Sequence, residues 1–175
     1  MKVLVTGGVR SGKSRHAEEL LSAYDGVTYV APGPTIDEDT DPDWAARIHT
    51  HRERRRASWA TLETRDLSSA LAVPGPLLVD CLGTWLTAVL DAGGLWDVSS
   101  EEARGFVDAE LGTSVAALGA APGPVVLVTN EVGLGVVPEH RSGRLFRDLL
   151  GTVNQTMAAA CDEVHLVVAG RVLVL

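Results

Sequence analysis

Val3-Leu4-Val5-Thr6, Gly7-Gly8-Val9-Arg10-Ser11-Gly12-Lys13-Ser14 and Arg15-His16-Ala17-Glu18-Glu19-Leu20-Leu21 follow one another near the start of the chain. A short β-branched apolar run enters a glycine-rich loop, and a helical segment leaves it. The loop satisfies G-x-x-x-x-G-K-[ST] at every fixed position. Glycines at 7, 8 and 12 remove Cβ atoms, so successive backbone N–H groups can turn inward around a phosphate. The helix that follows points its positive N-terminal end at the same anion. In this pattern Lys13 reaches the β- and γ-phosphates and the Ser14 hydroxyl ligates Mg²⁺. A plain glycine turn between a strand and a helix is the alternative. The flanking strand and helix weigh against it, because a chance match lacks that context.

Working outward, the 175 residues correspond to one domain, 1–175, long enough to bury a sizeable core. Apolar residues make up 46%, which argues against disorder. The net charge of −8 argues against a nucleic-acid partner, and only Arg52 to Arg56 forms a basic cluster. Cys81 and Cys161 both sit beside apolar segments, as buried thiols of a reducing compartment do. The first apolar run stops at Gly7, so no signal peptide fits, and no stretch is long enough for a membrane span. The expectation is a soluble, cytoplasmic protein.

Val27 to Ala31 reads as a second strand, ending in the turn Ala31-Pro32-Gly33. Residues 32–42 hold three prolines and the acids Asp37, Glu38, Asp39 and Asp41 without periodicity, which predicts a mobile acidic loop near the site. A helix capped by Asp43 runs to Arg56, with Trp44, Ala45 and Ile48 as a thin apolar face. A short strand covers 59–63, a short helix 67–72, and an apolar strand 77–80 ends in Asp80. Helices follow over 82–90 and from Ser100 to about Leu118, the latter with Phe106, Val107, Leu111, Val115 and Leu118 on its apolar side. Val125 to Asn130 is apolar enough to be a strand covered on both faces. Leu145, Leu149, Val153 and Met157 recur every fourth residue in a long helix over 141–161. Strand 164–168 follows, and Ala169-Gly170-Arg171 can turn the chain into a last strand, 172–175. Alternating strands and helices imply an α/β, P-loop NTPase-like domain: a mainly parallel sheet flanked by helices, with an antiparallel C-terminal edge strand. Ligands bind at the carboxyl ends of such strands, which puts Gly7–Ser14, Ala31–Gly33, Asp80 and Asn130-Glu131 on one rim.

Three constellations carry chemistry beside the loop. Asp80 stands where phosphate-loop proteins keep an acid for the Mg²⁺ shell; the alternative is a helix cap. In Arg47-Ile48-His49-Thr50-His51-Arg52-Glu53-Arg54-Arg55-Arg56, a helix puts His51 on one face with Arg47 and Arg55. Arginines would hold phosphate oxygens and keep the imidazole unprotonated for attack on phosphorus. On sequence physics alone a solvated basic face with two ordinary histidines is the stronger reading. His49 points about 160° away from His51, so the two do not act together. The third constellation, Asn130 to Glu139, is a glycine-containing loop that either approaches a ligand closely or merely connects.

Taken together, several blocks resemble the bifunctional adenosylcobinamide kinase/adenosylcobinamide-phosphate guanylyltransferase family. They are Thr6 to Glu18, Ala46-Arg47-Ile48-x-x-His51, Trp59-x-Thr61-x-Glu63 and Val128 to Glu139. Phe146-Arg147-Asp148 with Gly151-x-x-Asn154-Gln155, and Asp162-Glu163-Val164-x-Leu166-Val167-Val168-x-Gly170, complete the set. The resemblance implies a two-step enzyme of cobalamin biosynthesis. ATP or GTP phosphorylates the aminopropanol hydroxyl of adenosylcobinamide; GTP then guanylylates a histidine, which passes GMP to the cobinamide phosphate. By this resemblance the guanylylated histidine is His51, with Lys13 as the other catalytic residue. Nucleotide contacts fall on Gly7, Gly8, Val9, Arg10, Ser11, Gly12, Lys13, Ser14, Ala31, Pro32, Gly33, Arg52, Glu53, Arg54, Arg55, Glu63 and Asp80. Glu63 suits the N1–H and N2 amine of guanine, and Ser14 with Asp80 would hold Mg²⁺. The resemblance also implies a homotrimer. A small-metabolite P-loop kinase without nucleotidyl transfer is the alternative enzyme. A GTP-dependent switch is disfavoured, since Thr129-Asn130-Glu131-Val132 is not the Asn-Lys-x-Asp guanine reader.

Overall fold

The computed structural model describes residues 1–39 and 41–175, except that the side chains of Arg47, His51 and Arg54 lie outside the described residues. The chain runs β1 (Lys2–Gly7), α1 (Lys13–Leu20), β2 (Thr28–Ala31), α2 (Pro42–Arg54), β3 (Ala60–Glu63), α3 (Leu67–Leu71) and β4 (Leu77–Asp80). It continues through α4 (Leu82–Ala92), α5 (Ser100–Ala120), β5 (Val125–Asn130), α6 (Arg141–Ala159), β6 (Glu163–Val168) and β7 (Arg171–Val174). All seven strands join one sheet in the order β3-β2-β4-β5-β1-β6-β7. Every pairing is parallel except β6 with β7, so the expected antiparallel edge is present.

Alternation along the strands divides the core between two faces. Leu4, Val30, Val79 and Leu127 face the layer that contains Leu86, Leu111, Leu149 and Val153. Val3, Val5, Tyr29, Leu78, Val126 and Val128 face Ala17 and Leu21 on the side of α1. Covered on both sides, Val125 to Thr129 is buried throughout. In α6 the every-fourth-residue pattern holds: Leu145, Leu149, Val153 and Met157 are all buried. In α5 the inward residues are Ala103, Val107, Leu111, Ser114 and Leu118, while Phe106 is exposed. One step of 100° separates Phe106 from Val107, and the smaller stripe is the one that meets the core.

Helix α2 begins earlier than its acids suggest. Asp41, not Asp43, is the cap; its side chain accepts from Asp43 N at 2.9 Å, and Pro42 supplies a first helical residue whose φ is already set. Among its described residues α2 buries none, and β3 is largely exposed at the sheet edge. This pair forms an arm at one side of the carboxyl-end rim. Among the described residues, no helix is long and apolar enough to cross a membrane.

Candidate active site

The register of the strands assembles the rim. Gly7 lies opposite Asn130, Asp80 opposite Val128, and Ala31 beside Glu63. Two glycines of the phosphate loop are required for different reasons. A Cβ on Gly7 would collide with Val167 O and come within 2.7 Å of Ser11 Oγ. Gly12 caps α1 at φ 97°, a left-handed conformation that side chains resist. Gly8, by contrast, opens onto free space. Lys13 Nζ donates to Gly8 O at 3.1 Å, which lays the ammonium across the loop. The β6–β7 turn buttresses the loop from outside, Gly170 N donating to Ser11 O at 2.8 Å.

Facing the loop across a cleft of about 1320 Å³ is the arm. Arg52 Nη2 meets Glu63 Oε1 at 2.7 Å, and Arg55 Nη1 donates to Thr61 Oγ1 at 3.0 Å. The Arg55 guanidinium carbon sits 3.2 Å above the centre of the Tyr29 ring. Tyr29 is buried, and its hydroxyl meets the Asp80 carboxylate; burial first, then Asp80, push its pKa well above the usual range. Trp44 Nε1 donates to Pro34 O at 2.9 Å, folding the start of α2 onto the acidic loop.

Most of the expected nucleotide contacts share this cleft. Val9, Arg10, Ser11, Gly12, Lys13, Ser14, Ala31, Gly33, Arg52, Arg55, Glu63 and Asp80 all line it. Gly7, Gly8, Pro32 and Glu53 do not line it: Gly7 and Pro32 are buried, and Gly8 and Glu53 are exposed outside it. Position 51 lies within α2, but the side chains of His51 and Arg54 lie outside the described residues. Ser14 and Asp80 present a hydroxyl and a carboxylate to the same cleft, a donor pair suited to a hard cation that keeps waters and phosphate oxygens as its other ligands. Among the described residues, no group of three His, Cys, Asp or Glu side chains gathers into a metal cluster. Both cysteines are free, and burial, then Asp80, push the Cys81 thiol up.

Sequence reasoning missed Tyr29, Trp44, Thr61, Thr84 and Gly170, which also line the cleft. Their signal is faint: a hydroxyl-bearing aromatic inside the apolar run 27–31, and a tryptophan in an otherwise polar helix. Trp85, Leu86 and Leu95, which could have been apolar ligand contacts, are core residues. Trp96 packs against that core with Nε1 bonded to Asp91. Behind α1 lies a further chain of groups: His16 Nε2 meets His165 Nδ1 at 2.8 Å, and His165 Nε2 meets Glu163 Oε2 at 2.9 Å. Burial first, then His165, lower the His16 pKa below its ordinary 6.5.

Residues 3–175 match the family described as cobinamide kinase / cobinamide phosphate guanyltransferase. The chain belongs to that family. It is therefore an enzyme pairing a cobinamide kinase with a cobinamide-phosphate guanylyltransferase. Family relatives include the bifunctional adenosylcobalamin biosynthesis protein CobU of Salmonella typhimurium, 45% identical over 97% of each chain. CobU of Escherichia coli is 44% identical over 97% of each chain. CobP of Pseudomonas aeruginosa is 39% identical over 97% of this chain and 94% of that one. Among solved structures, the flagellar accessory protein FlaH of Methanocaldococcus jannaschii aligns with a TM-score of 0.42. That alignment has 12% identity and covers 98% of this chain and 74% of that one, a distant likeness.

Proposed function

We propose that one cleft serves both reactions of the family, with the triphosphate held by the loop and the phosphorus to be attacked chosen from the arm. The observation that carries this reading is that Ile48, Thr50 and Arg52 of α2, with Arg55 just after its last residue, line the same cleft as Lys13 and Ser14. In the kinase step the backbone N–H groups of the loop and Lys13 hold the β- and γ-phosphates of ATP or GTP. The aminopropanol hydroxyl of adenosylcobinamide attacks the γ-phosphorus; a P–O bond forms, the β–γ bridge breaks, and the nucleoside diphosphate leaves. Mg²⁺, held by Ser14 and Asp80, would neutralise charge on the phosphates.

In the second reaction a nitrogen of His51 attacks the α-phosphorus of GTP. An N–P bond forms as the α–β bridge breaks, and pyrophosphate departs with its negative charge met by Lys13 and Arg55. A phosphate oxygen of the phosphorylated cobinamide then attacks the same phosphorus, releasing His51 and leaving adenosyl-GDP-cobinamide. Glu63, whose Oε1 accepts from Arg52 Nη2, would be the acceptor for the N1–H and N2 amine of guanine. Ser11 Oγ and Arg55 Nε are buried with no partner among the described residues, and a nucleotide oxygen would satisfy either. Residues 1–175 act as one domain in the cytoplasm, and the family resemblance adds a homotrimer, which sedimentation equilibrium tests.

The decisive experiment uses GTP labelled at the α-phosphate. The wild-type chain acquires an acid-labile, alkali-stable label, and His51→Ala takes up none while still phosphorylating adenosylcobinamide with ATP. Label persisting in His51→Ala overturns the assignment of the nucleophile.

A further inference from the structure

The loop from Glu131 to His140, between β5 and α6, is absorbed by neither reaction, yet its construction is specific. Its polar backbone is turned toward α6. Arg147 donates to Gly133 O at 2.6 Å and to Gly135 O at 3.0 Å, and Arg144 donates to Pro138 O at 3.1 Å. Glu131 accepts from Gly133 N, while Glu131 N is anchored to Gly7 O at 3.1 Å, beside the phosphate loop. With its carbonyls held inward, the loop turns its side chains out: Val132 is 36% exposed, Leu134 88%, Val136 94% and Val137 61%. A single exposed aliphatic side chain is ordinary; four within six residues of a tethered loop form a surface. Val132 also lines the nucleotide cleft, so this surface begins where the cleft ends.

We propose that the outer face of residues 132–137 is the platform on which the corrin ring of the acceptor rests. The inference depends on the cobinamide reading above. It names the subsite for the part of that substrate that never enters the phosphate cleft. A corrin ring is broad and methyl-studded, and only its aminopropanol arm must reach the γ-phosphate. An apolar shelf contiguous with the cleft suits that division. Residues 132–138 carry no charged side chain, while Glu131 and Glu139 flank them. An alkylated cobalt(III) corrin bears a net positive charge, and that pattern complements it: apolar contact beneath, carboxylates at the ends. The apolar side chains near α4 that could have served instead, Trp85, Leu86 and Leu95, are committed to the core.

The test uses the full chain and the double variant Leu134→Ser with Val136→Ser, both exposed positions where folding is little affected. Adenosylcobinamide binding is followed by its absorbance in equilibrium dialysis, independently of turnover, and particle mass by sedimentation. Label taken up from GTP reports that the nucleotide site is intact. The expected result is an adenosylcobinamide Kd raised about tenfold or more at unchanged mass, since two aliphatic contacts are lost. Leu134→Met with Val136→Ile, which keeps the surface apolar, should restore binding to within about twofold. An unchanged Kd in the serine variant overturns the proposal. So does a change in mass, which would make the shelf a contact between copies of the chain. A wild-type chain that binds no adenosylcobinamide would instead sink the cobinamide reading itself.

Discussion

The wall of the cleft formed by β1, β5 and α1 is an extension of the core, whereas the wall formed by α2 and β3 is held almost entirely by polar tethers. On the first side Gly7 packs against Val167 O, and the strands beneath it are buried on both faces. On the second, the described residues of α2 bury nothing, and the helix is kept in place by the Asp41 cap, the Trp44–Pro34 bond and the Arg52 and Arg55 contacts. The difference separates two tasks. A triphosphate has to be located reproducibly, which favours a loop welded to the core. A group that addresses a second phosphorus benefits from an element that can shift without unfolding the rest.

Substitutions on the two sides should therefore fail differently. The largest loss is expected in the core behind the loop: Leu149→Ala leaves a cavity and should lower global stability by about 2–5 kcal/mol in chemical denaturation. A loss confined to α6 fraying would contradict the continuity of that wall. Next, Gly7→Ala forces a methyl against Val167 O and should lower stability by about 1–3 kcal/mol while weakening nucleotide binding. Normal stability with normal nucleotide affinity would show that the close approach is dispensable.

On the arm, Asp41→Ala removes a cap worth about 1 kcal/mol, and the effect should be local. Amide exchange should quicken in 43–46 while the denaturation midpoint barely moves; a shift of the midpoint comparable to that of Gly7→Ala would erase the contrast between the walls. The smallest effect belongs to pH. Because His16 is held neutral by burial and by His165, the folded chain takes up its proton at lower pH than the unfolded chain. Well above pH 6.5 neither state is protonated there and the group contributes nothing. As pH falls below 6.5 the unfolded state binds the proton first and stability declines, levelling once the folded pKa is passed. His16→Gln, which keeps a donor toward His165, should flatten that decline in a series of thermal midpoints.

Much of this architecture was legible because the decisive signals are local. The loop pattern, the strand before it, the unbroken run 125–129 and the four-residue spacing in α6 each follow from neighbours in the chain. In the sequence Pro42 resembles the end of a loop and points to Asp43 as the cap, whereas a proline in a first helical turn costs no hydrogen bond and leaves the cap to Asp41. Phe106 joins the apolar side in the helical pattern of the sequence, yet it lies outside the stripe of Ala103, Val107 and Leu111 that meets the core. What spacing could not supply is who meets whom across the sheet. The stack of Arg55 on Tyr29, and the meeting of Tyr29 with Asp80, join β2 to residues well downstream. Likewise His16 and His165 are separated by 149 positions and meet only because β6 lies beside β1.

That adjacency has a consequence during synthesis. β1 is made well before its sheet neighbours β5 and β6, and the loop after it is braced by Gly170. While residues 163–170 are still inside the ribosome, the emerging chain carries its phosphate-binding residues on a strand with one bare edge. Nucleotide can thus act as a ligand that rewards completion: it gains its full set of contacts only on a chain whose late strands have arrived, and favours that state over any shorter one.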